Sequence, residues 1–250
     1  MSRRPLAILT YHSLDDSGSV VSIAPRTFEA QMQALARAGF VGITLREAVE
    51  YREQQGDWPS QRVVLTFDDA YASLFVNALP VLVRHGFSAT VFVITGYVGR
   101  CNDWAPPPPR IGTQPLCSWE QLAALVEAGW EPAAHTHTHP DLRGVGEYET
   151  EREILFSRDE LRRRLGCEIG GFAYPYGLIS PTARRIAREH FRTACTTVLK
   201  RAGDEPLTAL PRVDMFYVQT VALLERLIAG RLDRYLALRR WGRRARHMLQ

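Results

Sequence analysis

The 250-residue sequence predicts an α/β fold, a parallel sheet with helices packed outside it. Two observations carry this. Short apolar, β-branched runs alternate with segments of helical period along most of the chain. The unusual polar residues His12, Asp68 and Asp69, and histidines 135, 137 and 139, fall where such runs end. In parallel α/β folds the C-terminal strand ends collect at one face, so residues there can share a site.

The elements follow in order. "PLAILTYH" (5–12) reads as a strand, and "RTFEAQMQALARAGF" (26–40) as a helix with apolar positions at Phe28, Met32, Leu35 and Ala36. "LREAVEYREQ" (45–54) is a second helix and "RVVLTFDD" (62–69) a buried strand. "SLFVNALPVLVRHG" (73–86) is helical, with Pro80 marking a kink or a new start. "SATVFVIT" (88–95) is a strand, followed by an irregular stretch to Leu116 that reads as a loop near a site mouth. "SWEQLAALVEAGW" (118–130) is a helix with Ser118 as its N-cap. "EPAAHTHTHPDL" (131–142) follows a strand-like start, and 147–166 is a long amphipathic helix. "IGGFAYPYG" (169–177) runs from strand to loop, and Ser180 and Pro181 open a helix over 180–191. Residues 192–198 form a strand, and "LPRVDM" (210–215) comes after a polar loop.

Composition narrows the function classes. Hydrophobic residues make up 46% and charged residues 23%, ordinary for a globular protein. No apolar run approaches the roughly 18 residues of a membrane span. The apolar run after Arg3 and Arg4 stops at His12 with no cleavage-like site, so a cytoplasmic location is expected. Cys101, Cys117, Cys167 and Cys195 have no close spacing and read as free thiols. Residues 231–250 hold seven arginines and one aspartate, a net +6, against +4 for the whole chain. The remaining body is therefore near neutral, which argues against a nucleic-acid-binding face. Leu238, Trp241, Ala245 and Met248 recur at helical spacing in this basic segment. It reads either as a helix packed on the body or as one lying on anionic lipid, peripheral to the inner face of a membrane.

Two segments carry chemistry. "TFDD" sets Asp68 and Asp69 side by side at a strand end, where they serve one site in different roles or cap the next helix. "HTHTHP" places His135 and His139 four residues apart. In an extended strand they would be about 13 Å apart, so sharing an ion requires a turn, with which Pro140 is consistent. The alternative is a solvated histidine-rich loop. Two histidines and an aspartate make a catalytic zinc-type site with an open position for water. A second aspartate beside it can take a proton from that water, which is equipment for hydrolysing an ester or amide.

"TFDD" followed by "HTHTHP", with "SATVFV" and "SWEQLAALVEAGW" between them, resembles the NodB-type polysaccharide deacetylases, carbohydrate esterase family four. The resemblance runs from about residue 5 to 215 and implies a distorted (β/α)7 barrel; residues 1–230 are taken as the catalytic domain, and the basic segment 231–250 is read separately as an added helix. It implies Asp68 as general base, and Asp69, His135 and His139 as ligands of a divalent ion, expected to be zinc, with cobalt, nickel or iron compatible. His137 falls at a non-ligand position, with a three-histidine arrangement as the rival. "FAYPYG" resembles the family's Arg-x-Pro-Tyr motif: Pro175 and Tyr176 match, and Tyr176 offers its backbone N–H to an oxyanion. Ala173 stands where the arginine belongs. Arg212 in "LPRVD" is the expected substitute, with Asp214 orienting a neighbour; the alternative leaves Arg212 on the surface. The family's C-terminal histidine segment is missing. "LTYHSL" resembles the circularly permuted poly-N-acetylglucosamine deacetylases, which implies His12 as general acid. Asp15 and Asp16 beside it read as a solvated pair. The implied substrate is an N-acetylated glycan and the product acetate. The rivals are O-acetyl ester or other amide hydrolysis, and an inactive carbohydrate-binding module.

Overall fold

The computed structural model describes residues 5–104 and 111–248, with side chains through residue 242. The proline run at 106–109, Ala245 and Met248 lie outside these described residues or side chains. The strands are β1 (Ile8–Tyr11), β2 (Val41–Ile43), β3 (Arg62–Phe67), β4 (Thr90–Val93), β5 (Glu131–Ala134), β6 (Gly171–Ala173), β7 (Thr193–Leu199) and β8 (Leu210–Asp214). The helices are α1 (Pro25–Arg37), α2 (Leu45–Gln55), α3 (Leu79–His85), α4 (Trp119–Glu127), α5 (Glu147–Leu165), α6 (Pro181–His190), α7 (Val221–Ile228) and α8 (Asp233–Met248).

All eight strands pair in parallel, in the order β1-β8-β7-β6-β5-β4-β3-β2, and β1 also pairs β3. That last pairing closes a seven-stranded barrel, with β2 outside the ring. One edge of β3 runs along β1 from Ile8↔Val64 to Tyr11↔Phe67. Its other edge is shared: β2 takes residues 62–64, and β4 takes Thr66 and Phe67. The distorted (β/α)7 barrel implied by the motifs is the observed architecture. The first and last strands of the ring, β1 and β8, are neighbours, as a permuted strand order requires.

Local signals explain most boundaries. Ser118 accepts from the Gln121 N–H while the Gln121 side chain accepts from Ser118 N–H, a reciprocal cap that starts α4. Thr44 and Glu47 do the same for α2. The segment read as one helix over 73–86 divides into a π-helical turn, Leu74–Ala78, and α3, where Pro80 sits in the first turn and its missing N–H leaves no gap. The strand read as 62–69 ends at Phe67, before the two aspartates. The sequence pattern predicts neither strand β2 nor helix α7; β2 is three residues long, too short to show an alternation.

Alternation along the strands decides what faces the barrel interior. Ile8, Val64, Phe92, Ala133, Ala173, Cys195 and Leu210 form one buried cluster on its inside. Counting on in twos from these positions reaches Thr10 and His12, Thr66 and Asp68, His135, and Arg212. The larger cluster lies between barrel and helices, where Tyr11 stacks on Phe67, and Phe67 on Trp130. Leu232 and Leu236 seat the start of α8 in it, while Leu238 and Trp241 are 67% and 72% exposed. Among the described residues no helix is long and apolar enough to cross a membrane.

Candidate active site

A cleft of about 630 Å³ opens at the C-terminal ends of the strands. His12, Asp68, Asp69, His135, His139 and Tyr176 all line it. The structure thus brings together six of the seven residues singled out in the sequence, and the seventh, Arg212, lies beneath them.

Arg212 is 2% exposed and Asp68 4%. The Arg212 Nη1 donates to Asp68 Oδ1 at 2.6 Å and Nη2 to Oδ2 at 2.7 Å, a two-pronged pair. Its Nε donates to the Thr196 carbonyl at 3.0 Å, and the guanidinium lies over the Phe92 ring. Burial alone would raise the Asp68 carboxyl, but the Arg212 charge, and then His12, hold it well below the usual carboxylate range. Asp68 is therefore ionised at any working pH. The guanidinium comes from β8, and Ala173 at the end of β6 is a buried wall residue.

Asp69 Oδ1 lies 3.5 Å from His135 Nε2 and 3.7 Å from His139 Nε2. One ligand atom from each residue falls within 4.8 Å of the others, and all three residues are buried. Ligand atoms on a tetrahedral zinc with bonds of about 2.0–2.1 Å are roughly 3.3 Å apart, so the two observed separations suit a shared ion better than hydrogen bonds. His135 Nδ1 sits 2.8 Å from the Ala173 carbonyl, which fixes the tautomer that leaves Nε2 free to ligate. Burial pushes the His139 imidazole down to about 3, keeping it neutral as a ligand must be. Burial also acts to lower His135, but the adjacent Asp69 and Asp68 carboxylates raise it on balance. Residues and geometry fit a divalent cation.

The turn that brings the histidines together is not helical. Thr136 and His139 both take positive φ, 67° and 62°. Asp69 (66°), Ala70 (57°) and Tyr176 (57°) do the same, so five of the six described non-glycine residues with positive φ are at this site. Each costs about 1–3 kcal/mol, strain that the surrounding structure must hold. Gly96 is part of that support: its N–H donates to the His137 carbonyl at 2.9 Å, and a Cβ there would meet that oxygen at 2.6 Å. Gly177, at φ 70°, lets Thr197 reach the Tyr176 carbonyl at 3.2 Å. A Cβ on it would sit 2.1 Å from Thr197 Oγ1.

The other residues sort as follows. His12 Nε2 is 3.9 Å from Asp68 Oδ2, beyond hydrogen-bond range, and its side chain is 24% exposed to the cleft. The Tyr176 ring packs 4.5 Å from His139, and its hydroxyl donates to the His139 carbonyl at 3.4 Å. His137 turns away: its ring lies against Phe156 and Nδ1 is 3.0 Å from Thr95 Oγ1. Asp214 caps the turn after β8, accepting from the Phe216 N–H. Asp15 is partly exposed and accepts from Ser17 N–H and Ser22 Oγ, and Asp16 is exposed. Two neighbours escaped the sequence reading. Trp104, buried, packs 4.9 Å from the His139 ring; its isolated position in the loop carried no signal. Glu153 accepts from the His137 and Thr138 N–H groups. A signal for it existed, because Thr150, Glu153, Ile154, Ser157 and Leu161 form the buried stripe of α5, where a glutamate needs a partner.

A barrel that gathers an Asp–His–His set able to hold a metal ion, with an arginine-paired aspartate beside it, has the equipment of a hydrolase. The polysaccharide deacetylase profile matches residues 55–194, more than half of the chain, and the chain belongs to that family. The solved structure of IcaB from Ammonifex degensii superposes with a TM-score of 0.74 at 30% identity, covering 88% of this chain and 97% of that one. The Streptococcus pyogenes deacetylase PplD, solved with acetate, shares the fold with a TM-score of 0.77 at 23% identity, over 90% and 99%. The poly-beta-1,6-N-acetyl-D-glucosamine N-deacetylase of Staphylococcus epidermidis is 29% identical over 168 residues, 64% of this chain. The match spans only 55% of that protein's length.

Proposed function

We propose that this chain removes N-acetyl groups from amino-sugar residues of a glycan, releasing acetate. The observation that supports it best is the convergence, in one cleft, of an arginine-held Asp68, the Asp69–His135–His139 set and a separate His12. A divalent ion on that set, zinc by donor type, supplies Lewis acidity toward the acetyl carbonyl and acidifies water when bound. Asp68, ionised and fixed by Arg212, accepts the proton of the attacking water. The Tyr176 N–H steadies charge developing on the acetyl oxygen. His12, as imidazolium, delivers a proton to the departing amine. The Staphylococcus epidermidis relative's name makes β-1,6-linked N-acetylglucosamine oligomers the first substrate to try. Free amine and acetate should appear in equal amounts. Acetate from O-acetylated sugars alone, with no new amine, would replace this reading by an esterase.

We also propose that α8 rests on anionic lipid. Leu238 and Trp241 are exposed on the helix whose Leu236, with Leu232 just before it, faces the core, and arginines flank them. The full chain should float with phosphatidylglycerol vesicles at low salt, and Trp241→Ala should float less. Equal flotation of the two proteins would remove the proposal.

A further inference from the structure

We propose that Glu153 is a positioning residue that holds the His135–His139 turn in its ligand geometry and so sets metal affinity without touching the ion. The proposal rests on the reading of Asp69, His135 and His139 as ligands. It starts from the mismatch between this turn and ordinary backbone. An extended chain would separate the two imidazoles, and the left-handed conformations of Thr136 and His139 fold them to 4.8 Å between ring centroids. Threonine is branched at Cβ and takes such a conformation only when the groups around it insist.

Two elements insist, from opposite sides. The turn after β4 holds the carbonyls: Gly96 N–H donates to His137 O at 2.9 Å and Thr95 N–H to Thr136 O at 3.3 Å. Helix α5 holds the N–H groups through a single side chain. Glu153 Oε2 accepts from His137 N–H at 2.9 Å and Thr138 N–H at 2.7 Å, while Oε1 accepts from Thr138 Oγ1 at 2.7 Å. Within the turn, Thr136 Oγ1 accepts from His139 N–H at 3.0 Å. Glu153 is only 8% exposed, so its charge is held by these three donors. With the carboxylate gone, two N–H groups in the middle of the turn lose their acceptor. Rotating those peptides toward ordinary φ relieves this and carries His139 away from His135.

Glutamine distinguishes positioning from charge. Its amide oxygen can take both N–H groups in place of Oε2, and the Thr138 hydroxyl can reverse to accept from the amide nitrogen. The test is zinc titration of the metal-depleted full chain by competition with a chromophoric chelator, with thermal unfolding of each metal-free protein alongside. Glu153→Ala should weaken zinc binding by about 10- to 100-fold. Glu153→Gln should stay within about threefold of the parent, a smaller loss than removal of an outer-shell partner. Thr138→Val, which takes only the hydroxyl, should fall between them and covers the case of an alanine variant that does not fold. Parent-like zinc affinity in folded Glu153→Ala, or in Thr138→Val with a lowered unfolding temperature alone, would make Glu153 a structural residue and overturn the proposal. Glutamine as weak as alanine would overturn it too. Failure of the parent itself to bind zinc would overturn the ligand reading first, and is seen before any variant is compared.

Discussion

Arg212→Ala should lower folding stability by about 3–5 kcal/mol and kcat/KM by about 10²- to 10⁴-fold. Both losses have one origin. Asp68 and Arg212 lie inside the barrel, almost wholly shielded from water, and their two short bonds are what make two buried charges tolerable. Deleting the guanidinium leaves a buried carboxylate without its main counterion. The protein then unfolds more easily, or Asp68 takes up a proton and can no longer accept one from water. Arg212→Lys keeps the charge but not the planar fork, and should recover part of the stability and less of the activity. Urea unfolding with acetate release on the same preparations checks this. Wild-type stability and kcat/KM in Arg212→Ala would show that the pair has neither role.

His12→Ala should lower kcat by about 10²- to 10⁴-fold, the range for loss of a general acid, with zinc affinity nearly unchanged. His12 projects into the cleft beside Asp68 but is too far from it for a hydrogen bond, and it is not one of the three grouped donors. Its loss should therefore cost little stability. His137→Ala is the matched control: its ring is turned toward Phe156 and Thr95, so kcat should change little. Near-normal kcat in His12→Ala would end its assignment as proton donor.

Most of this site is legible in the motifs and the family resemblance they carry, and the barrel shows its physical basis. Period-two alternation relates Ile8 to His12, Val64 to Asp68 and Leu210 to Arg212, so residues that look scattered in sequence share the inner surface of one barrel. A strand-end aspartate short of a cation, with Ala173 where an arginine was expected, made Arg212 worth naming. What sequence could not carry was the backbone. The turn that His135 and His139 need is built on two left-handed residues, Thr136 and His139, and a β-branched threonine gives no local signal for such a conformation. They depend on Gly96 and Glu153, which are distant in sequence and meet the turn only after the barrel closes. The three-residue β2 and the packing of Trp104 on His139 were invisible for the same reason, since each is set by tertiary contacts.

The central claim is that Asp69, His135 and His139 hold one ion on which hydrolysis depends. Acetate release from N-acetylglucosamine oligomers, followed while zinc is added back to metal-depleted protein, tests it most directly. Release should be negligible without metal, rise linearly to one equivalent of zinc, and show no such rise in His139→Ala. Full acetate release from the metal-depleted protein, or the same zinc response in His139→Ala, would contradict it.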